Sequence, residues 1–186
     1  MGTEQEQKRN RLLYQADYDE LAGLYNKRSL NRHLEDVFED CLLNEKSLGI
    51  QFLDIDHFKQ LNDRYGHGKG DEGICAVADT LKRCFPEDYI ARYGGDEFLV
   101  VMTGRNPEYA MEHAQQLCSV IRECKIPNED SSVEPWLTIS VGGVCAVPKA
   151  PNRVWDFLSA ADNTLYAQKK EQKGKVRFYQ GEGKYL

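Results

Sequence analysis

Two adjacent carboxylates, Asp96 and Glu97, sit where a cation would be needed to hold them together. Ala91-Arg92-Tyr93 and Phe98-Leu99-Val100-Val101 are rich enough in aromatic and β-branched residues to predict two short strands. Gly94-Gly95-Asp96-Glu97 between them reads as a hairpin turn, in which glycines lacking Cβ atoms let another group approach the backbone. A solvated Gly-Asp turn is the competing reading of these residues alone.

A third carboxylate changes that balance. Gly49 to Asp54 (GIQFLD) predicts a buried strand ending in Asp54-Ile55-Asp56. If that strand neighbours the hairpin, Asp54 faces Asp96 and Glu97. Together they offer the all-oxygen donor set that Mg²⁺ takes, with substrate phosphates and water completing its shell. Enzymes that act on nucleoside triphosphates use such ions to bind the attacking and leaving oxygens. Asp56 is expected to point away from Asp54 and is given no role.

Three blocks in order resemble the GGDEF-domain, or diguanylate cyclase, family: DYDELAGLYNKR at 17–28, FLDIDHFKQLNDRYGHGKGDEG at 52–73, and GGDEF itself at 94–98. The resemblance runs from Asp17 to Phe178. It implies an α+β fold, an antiparallel-rich central sheet flanked by helices, similar to polymerase palms and adenylyl cyclases. It also implies the condensation of two GTP into cyclic di-GMP with release of pyrophosphate, by a homodimer whose two half-sites face each other.

Site roles follow from the same resemblance. Asp54, the carbonyl of Ile55, Asp96 and Glu97 become ligands for Mg²⁺ or Mn²⁺, two ions per half-site when GTP is bound. Asp96, Glu97 and Lys59 are the candidate catalytic residues, with Asp96 assisting deprotonation of the attacking hydroxyl. Phe58, Gly95 and His67 are expected to touch substrate, and the amides of His57, Phe58 and Lys59 to cradle phosphates at a helix start. Asn62 and Asp71 match the guanine-reading pair; a carboxylate accepts from N1–H and the 2-amino group, which adenine's corresponding edge lacks. Lys169 and Lys173, four apart on the last helix, are assigned to the phosphates.

Departures from the pattern are specific. Ala22 replaces the usual Thr of the linker block, and Gln172 and Lys173 stand where Gly and Arg are usual. A lysine cannot offer phosphate a bidentate fork. Many members also carry R-x-x-D before the signature, to bind the cyclic product; here Asp88 is present but Phe85 takes the Arg position. Such departures keep open a catalytically silent module that binds GTP or a partner. Another palm-type cyclase acting on adenine nucleotides is the other alternative, opposed by Asp71.

Positioning these residues requires an ordinary globular domain, and 186 residues with 41% hydrophobic and 29% charged supply one. A net charge of −6 opposes a nucleic-acid or membrane-surface binder. Six scattered cysteines without metal spacing read as free thiols, mostly buried, of a reducing compartment. With no signal peptide and no apolar span, the expected location is cytoplasmic, alone or as part of a larger membrane-attached protein with an upstream sensor or regulatory domain.

Three segments are expected: 1–18 as an upstream helix or linker remnant, 19–180 as the domain, 181–186 as a tail. Along the chain, the pattern predicts a helix over 4–22, a turn at Gly23 and a helix to about Glu45. A short helix over 58–65 and a glycine-broken loop, Gly66–Gly70, come next, then helices from Asp71 and Pro107. Polar residues 128–135 predict a loop; residues 137–147 predict a strand bulged at Gly142-Gly143, with a helix over 152–171 and a strand at 176–179 after it. Asp19 is expected to pair with Arg28. His33, His57 and His113 are given no role, and Tyr93, Trp136 and Trp155 are assigned to packing.

Overall fold

A computed structural model describes residues 3–179, so the predicted tail lies outside the described residues. The helices are α1 (Glu4–Asp17), α2 (Lys27–Leu43), α3 (Phe58–Tyr65), α4 (His67–Cys84), α5 (Pro107–Glu123) and α6 (Val154–Glu171). The strands are β1 (Leu48–Ile55), β2 (Tyr89–Arg92), β3 (Glu97–Thr103), β4 (Ile139–Ala146) and β5 (Val176–Phe178). They form one sheet ordered β2-β3-β1-β4-β5, antiparallel except for the parallel β4–β5 pair.

Alternation along the strands divides the core between the two faces of the sheet. Leu53, Ile55, Phe98, Val100 and Met102 pack under α4 and α5, while Ile50, Phe52, Leu99 and Val101 pack under α2 and α6. Each fully buried side chain of this size contributes about 1.5–3 kcal/mol. Gln51 is buried in β1, where its amide donates to the carbonyl of Ala110 (2.9 Å).

Helix starts follow local chemistry. Asn26 caps α2 by accepting from the Ser29 amide, and Asn106 caps α5 immediately before Pro107. The first helix ends at Asp17, not at residue 22, because the chain turns to lay Tyr25 against the sheet edge. There the Tyr25 amide donates to Ile90 O and the Arg92 amide donates to Tyr25 O. Rings Tyr14, Tyr18, Tyr25, Tyr89 and His33 stack successively at centroid spacings of 4.5, 4.7, 4.1 and 3.8 Å, joining α1 to β2.

Three expectations are corrected. Residues 67–70 are helical: Gly66 (φ 84°) makes the whole turn, and α4 starts at once. Gly70 serves close packing, since a Cβ there would lie 1.9 Å from Asn62 Oδ1. No bulge occurs at Gly142-Gly143, where the β1–β4 register is unbroken; a Cβ on Gly142 would meet the Leu165 backbone nitrogen at 2.0 Å. Asp19 pairs with Arg92, not Arg28.

Candidate active site

The site is built at the end of β1. Antiparallel pairing places Asp54 opposite Glu97 on β3 and Ser140 on β4. The Ile55 amide donates to the Asp96 carbonyl (3.2 Å), which locks the signature turn beside Asp54-Ile55. The turn itself is held from behind by Arg92. Its guanidinium donates to the carbonyls of Gly94 (3.1 Å) and Gly95 (2.6 Å) and to the Asp19 carboxylate (3.0 Å). Sequence reasoning gave Arg92 no such role; its partner Asp19 is 73 residues away.

The Asp54 carboxyl is 13% exposed and accepts from Lys169 Nζ at 2.7 Å. On balance its pKa is raised to about 6: burial is the largest cause, Lys169 opposes it through its hydrogen bond and charge, and the neighbouring charges of Asp96 and Asp56 add to the rise. Asp54, Asp96 and the Ile55 carbonyl supply oxygen donors alone, which suits Mg²⁺ or Mn²⁺. Among the described residues no three His, Cys, Asp or Glu side chains are already gathered around one point. Glu97 leans over Gly94, whose added Cβ would lie 2.7 Å from Glu97 Oε2.

Asp56 differs from expectation in having a clear structural part. It is fully buried, and its two carboxylate oxygens accept from Thr138 Oγ1 (2.8 Å) and Ser140 Oγ (2.6 Å). Next to it, His57 adopts the left-handed region (φ 55°, ψ 34°), a sharp turn from β1 into α3. Its Nε2 meets Ser132 Oγ at 2.9 Å, so the residue given no role ties the 128–135 loop to the site. No side chain caps α3, which leaves its first amides for a ligand.

Lys59 is exposed on the first turn of α3 and Phe58 is half-buried behind it. Lys173, expected on the last helix, is half-buried just beyond it, because α6 ends at Glu171 and Gln172 leaves the helix in extended geometry. Burial, Lys173 and Lys169 together depress the His57 imidazole's pKa, so both lysines are near the start of α3. Asn62 lies against Gly70 with its Oδ1 buried and unpartnered, beside exposed Asp71 on α4. His67 is exposed at the first residue of α4, and Gly95 is exposed with open space above it.

Two further readings are settled by burial. Trp155 is 67% exposed, against the expectation of packing, because α6 turns that side to solvent. Tyr93 packs edge-on to Phe52 and Trp136 lies under Lys125, as packing residues do. Cys41, Cys84 and Cys118 are buried, Cys75 and Cys145 half-buried and Cys124 exposed; all six are free. No helix among the described residues is long and apolar enough to cross a membrane.

Residues 16–175 match the family described as "Diguanylate cyclase, GGDEF domain". The Escherichia coli (strain K12) protein named "Probable diguanylate cyclase DgcC" is 33% identical over 163 residues, 87% of this chain and 43% of that one. "Diguanylate cyclase DgcM" of the same strain is 30% identical over 175 residues, 94% of this chain and 41% of that one. The chain thus spans less than half of these relatives. A solved structure of the coiled coil and GGDEF domain of DgcB from Caulobacter crescentus, in complex with c-di-GMP, superposes with a TM-score of 0.84 at 24% identity. The superposition covers 94% of this chain and 91% of that one, which shows the shared fold.

Proposed function

This chain belongs to the diguanylate cyclase GGDEF-domain family, and from that premise we propose that it condenses two GTP into cyclic di-GMP, releasing two pyrophosphates. The observation that carries this reading is the meeting of Asp54 and Asp96 beside the uncapped start of α3. Carboxylates there suit a divalent cation, and amides with lysines suit a triphosphate.

In this reading the guanine edge is read by Asp71, which accepts, and Asn62, which donates through its amide. His67 at the start of α4 and Phe58 at the start of α3 would also touch the substrate. The amides of α3, Lys59, Lys169 and Lys173 take up charge on the β- and γ-phosphates. Asp54, Asp96, Glu97 and the Ile55 carbonyl would hold Mg²⁺ or Mn²⁺, which supplies charge neutralisation and a more acidic 3′-hydroxyl. Asp96 receives the proton of that hydroxyl. The 3′-oxygen then bonds to the α-phosphorus of the other GTP, the α–β bridging bond breaks, and pyrophosphate leaves. Open space at Gly95 admits the second nucleotide.

One domain holds one GTP, so two copies must face each other and the reaction runs twice. An upstream regulatory segment would control that encounter, on the cytoplasmic side where GTP is found. The test is incubation with GTP and Mg²⁺ at high protein concentration, with products identified by mass spectrometry. Cyclic di-GMP is the expected product. GTP binding without turnover would make the chain a silent module, and a cyclic adenine nucleotide from ATP would assign it to another cyclase class.

A further inference from the structure

Lys169 does more than wait for phosphate. Its ammonium is bonded to Asp54 Oδ1 at 2.7 Å, and both side chains are mostly covered, at 28% and 13% exposure. Asp54 is the carboxylate that the proposed cation needs. A lysine held on Asp54 Oδ1 competes with a divalent ion for the charge of the same carboxylate, because their mutual repulsion is poorly screened there. Lys169 lies on the last turn of α6. A second destination is the triphosphate that the cyclase reading places at the uncapped start of α3, directly after the end of β1 that carries Asp54.

Resting on the cyclase reading of the site, we propose that Lys169 is a resident counter-ion of Asp54, displaced to the triphosphate when cation and nucleotide arrive together. The consequence is linkage between two ligands. Free cation must compete with Lys169 and binds weakly. A triphosphate gives the ammonium somewhere else to go, so nucleotide raises cation affinity, and cation raises nucleotide affinity by the same factor. The half-site therefore loads as a unit and stays unloaded in free Mg²⁺ alone. Lys173 shares the neighbourhood but makes no bond to Asp54 among the described residues, so it contributes only its field.

Mn²⁺ is the probe, with free ion measured by electron paramagnetic resonance at mildly alkaline pH, where Asp54 is ionised. Without nucleotide, Lys169→Gln should bind Mn²⁺ about ten-fold more tightly than the unaltered protein, the scale of removing one partly covered ionic competitor. Lys169→Met, which keeps the aliphatic stem, should give the same gain; Lys173→Gln should give far less. With a non-hydrolysable GTP analogue present, the gain should vanish and the analogue should bind more weakly to Lys169→Gln. Unchanged or weaker Mn²⁺ binding by Lys169→Gln and Lys169→Met would overturn the proposal, as would an equal gain from Lys173→Gln. In that case cyclic di-GMP formation by the unaltered protein would leave the cyclase reading intact. Absence of Mn²⁺ binding both with and without the analogue would overturn both.

Discussion

Asp54 and Asp56 are two residues apart at the end of one strand and meet opposite treatment. Asp56 is fully buried and both its oxygens accept from hydroxyls the protein owns, Thr138 and Ser140 on and beside β4. Asp54 has one lysine and a second carboxylate nearby, and burial still drives its pKa up to about 6. A structural carboxylate is satisfied from within. Asp54 is not satisfied in this way, and under the proposed function a cation that the chain does not carry would complete it. The contrast is testable residue by residue.

Its sharpest form concerns turnover. Asp54→Asn and Asp96→Asn each remove a donor and a charge from the proposed cation site, and cyclic di-GMP formation should fall by at least about 10³-fold. Circular dichroism should show the fold unchanged. Product formation at the unaltered rate in saturating Mg²⁺ would place the chemistry elsewhere.

Asp71 belongs with Asp54 in this comparison, since it is exposed and makes no hydrogen bond or ion pair among the described residues. Asp71→Ala should erode the preference for GTP over ATP, whose upper bound in a hydrogen-bonding site is roughly 10⁴-fold. Competition between the two nucleotides for binding measures it. A preference that survives intact would assign base reading to another residue.

Asp56 should respond in the other currency, stability. Asp56→Ala strands two buried hydroxyls and opens the junction beneath His57, at an expected cost of about 2–4 kcal/mol by urea unfolding. Any loss of activity should track the unfolded fraction. If folded Asp56→Ala were inactive, the division between the two carboxylates would fail.

The comparison also shows what a sequence can reveal. The signature turn, β1 and the order of helices and strands were legible because each depends on local pattern: alternation, an Asn cap, Pro at a helix start. The placement of Asp54 opposite the signature turn was legible as a condition, that the two strands be neighbours, and the pairing of β1 with β3 meets it. What was not legible depends on contacts across the chain. Gly142-Gly143 signals a bulge or a close approach equally well, and only the α6 backbone near Leu165 decides between them. Gly70 reads as loop until Asn62 is seen against it. Asp56 finds its hydroxyl donors more than eighty residues on, and Ser132 reaches His57 from 75 residues away.

Stability against pH separates the two carboxylates again. The folded pKa of Asp54, about 6, lies above its ordinary 3.8, so the folded state holds that proton more tightly. The stability this contributes is fully present below 3.8 and is lost as pH rises through about 6. Above that range Asp54→Asn should therefore stabilise the metal-free protein, by about 1–3 kcal/mol, while abolishing its turnover. The gap should close on acidification. An Asp54→Asn protein less stable than the original above pH 6, in metal chelator, would show that Asp54 is no more strained than Asp56.

Asp88 applies the same rule to regulation, and here the expected effect is none. It holds the Asp position of the product-binding R-x-x-D pattern, yet its side chain is 3% exposed. Tyr109 donates its hydroxyl to Oδ2 (3.1 Å) and Arg105 Nε lies 3.7 Å from Oδ1, so it is satisfied from within, as Asp56 is. Phe85, in the Arg position, is fully buried in the core, and Arg83 is turned to Thr80. Without that guanidinium a phosphate contact worth roughly ten- to a hundred-fold in affinity is missing. Arg105, the guanidinium beside Asp88, is already engaged by Glu87 (2.7 Å) and lies over the Tyr109 ring. Initial rates should therefore stay flat as cyclic di-GMP is added, and calorimetry should find no tight site at Phe85–Asp88. Non-competitive inhibition abolished by both Asp88→Ala and Arg105→Ala would show that Arg105 leaves Asp88 for the product. Asp88 would then belong with Asp54, a carboxylate whose resident cation gives way to a ligand.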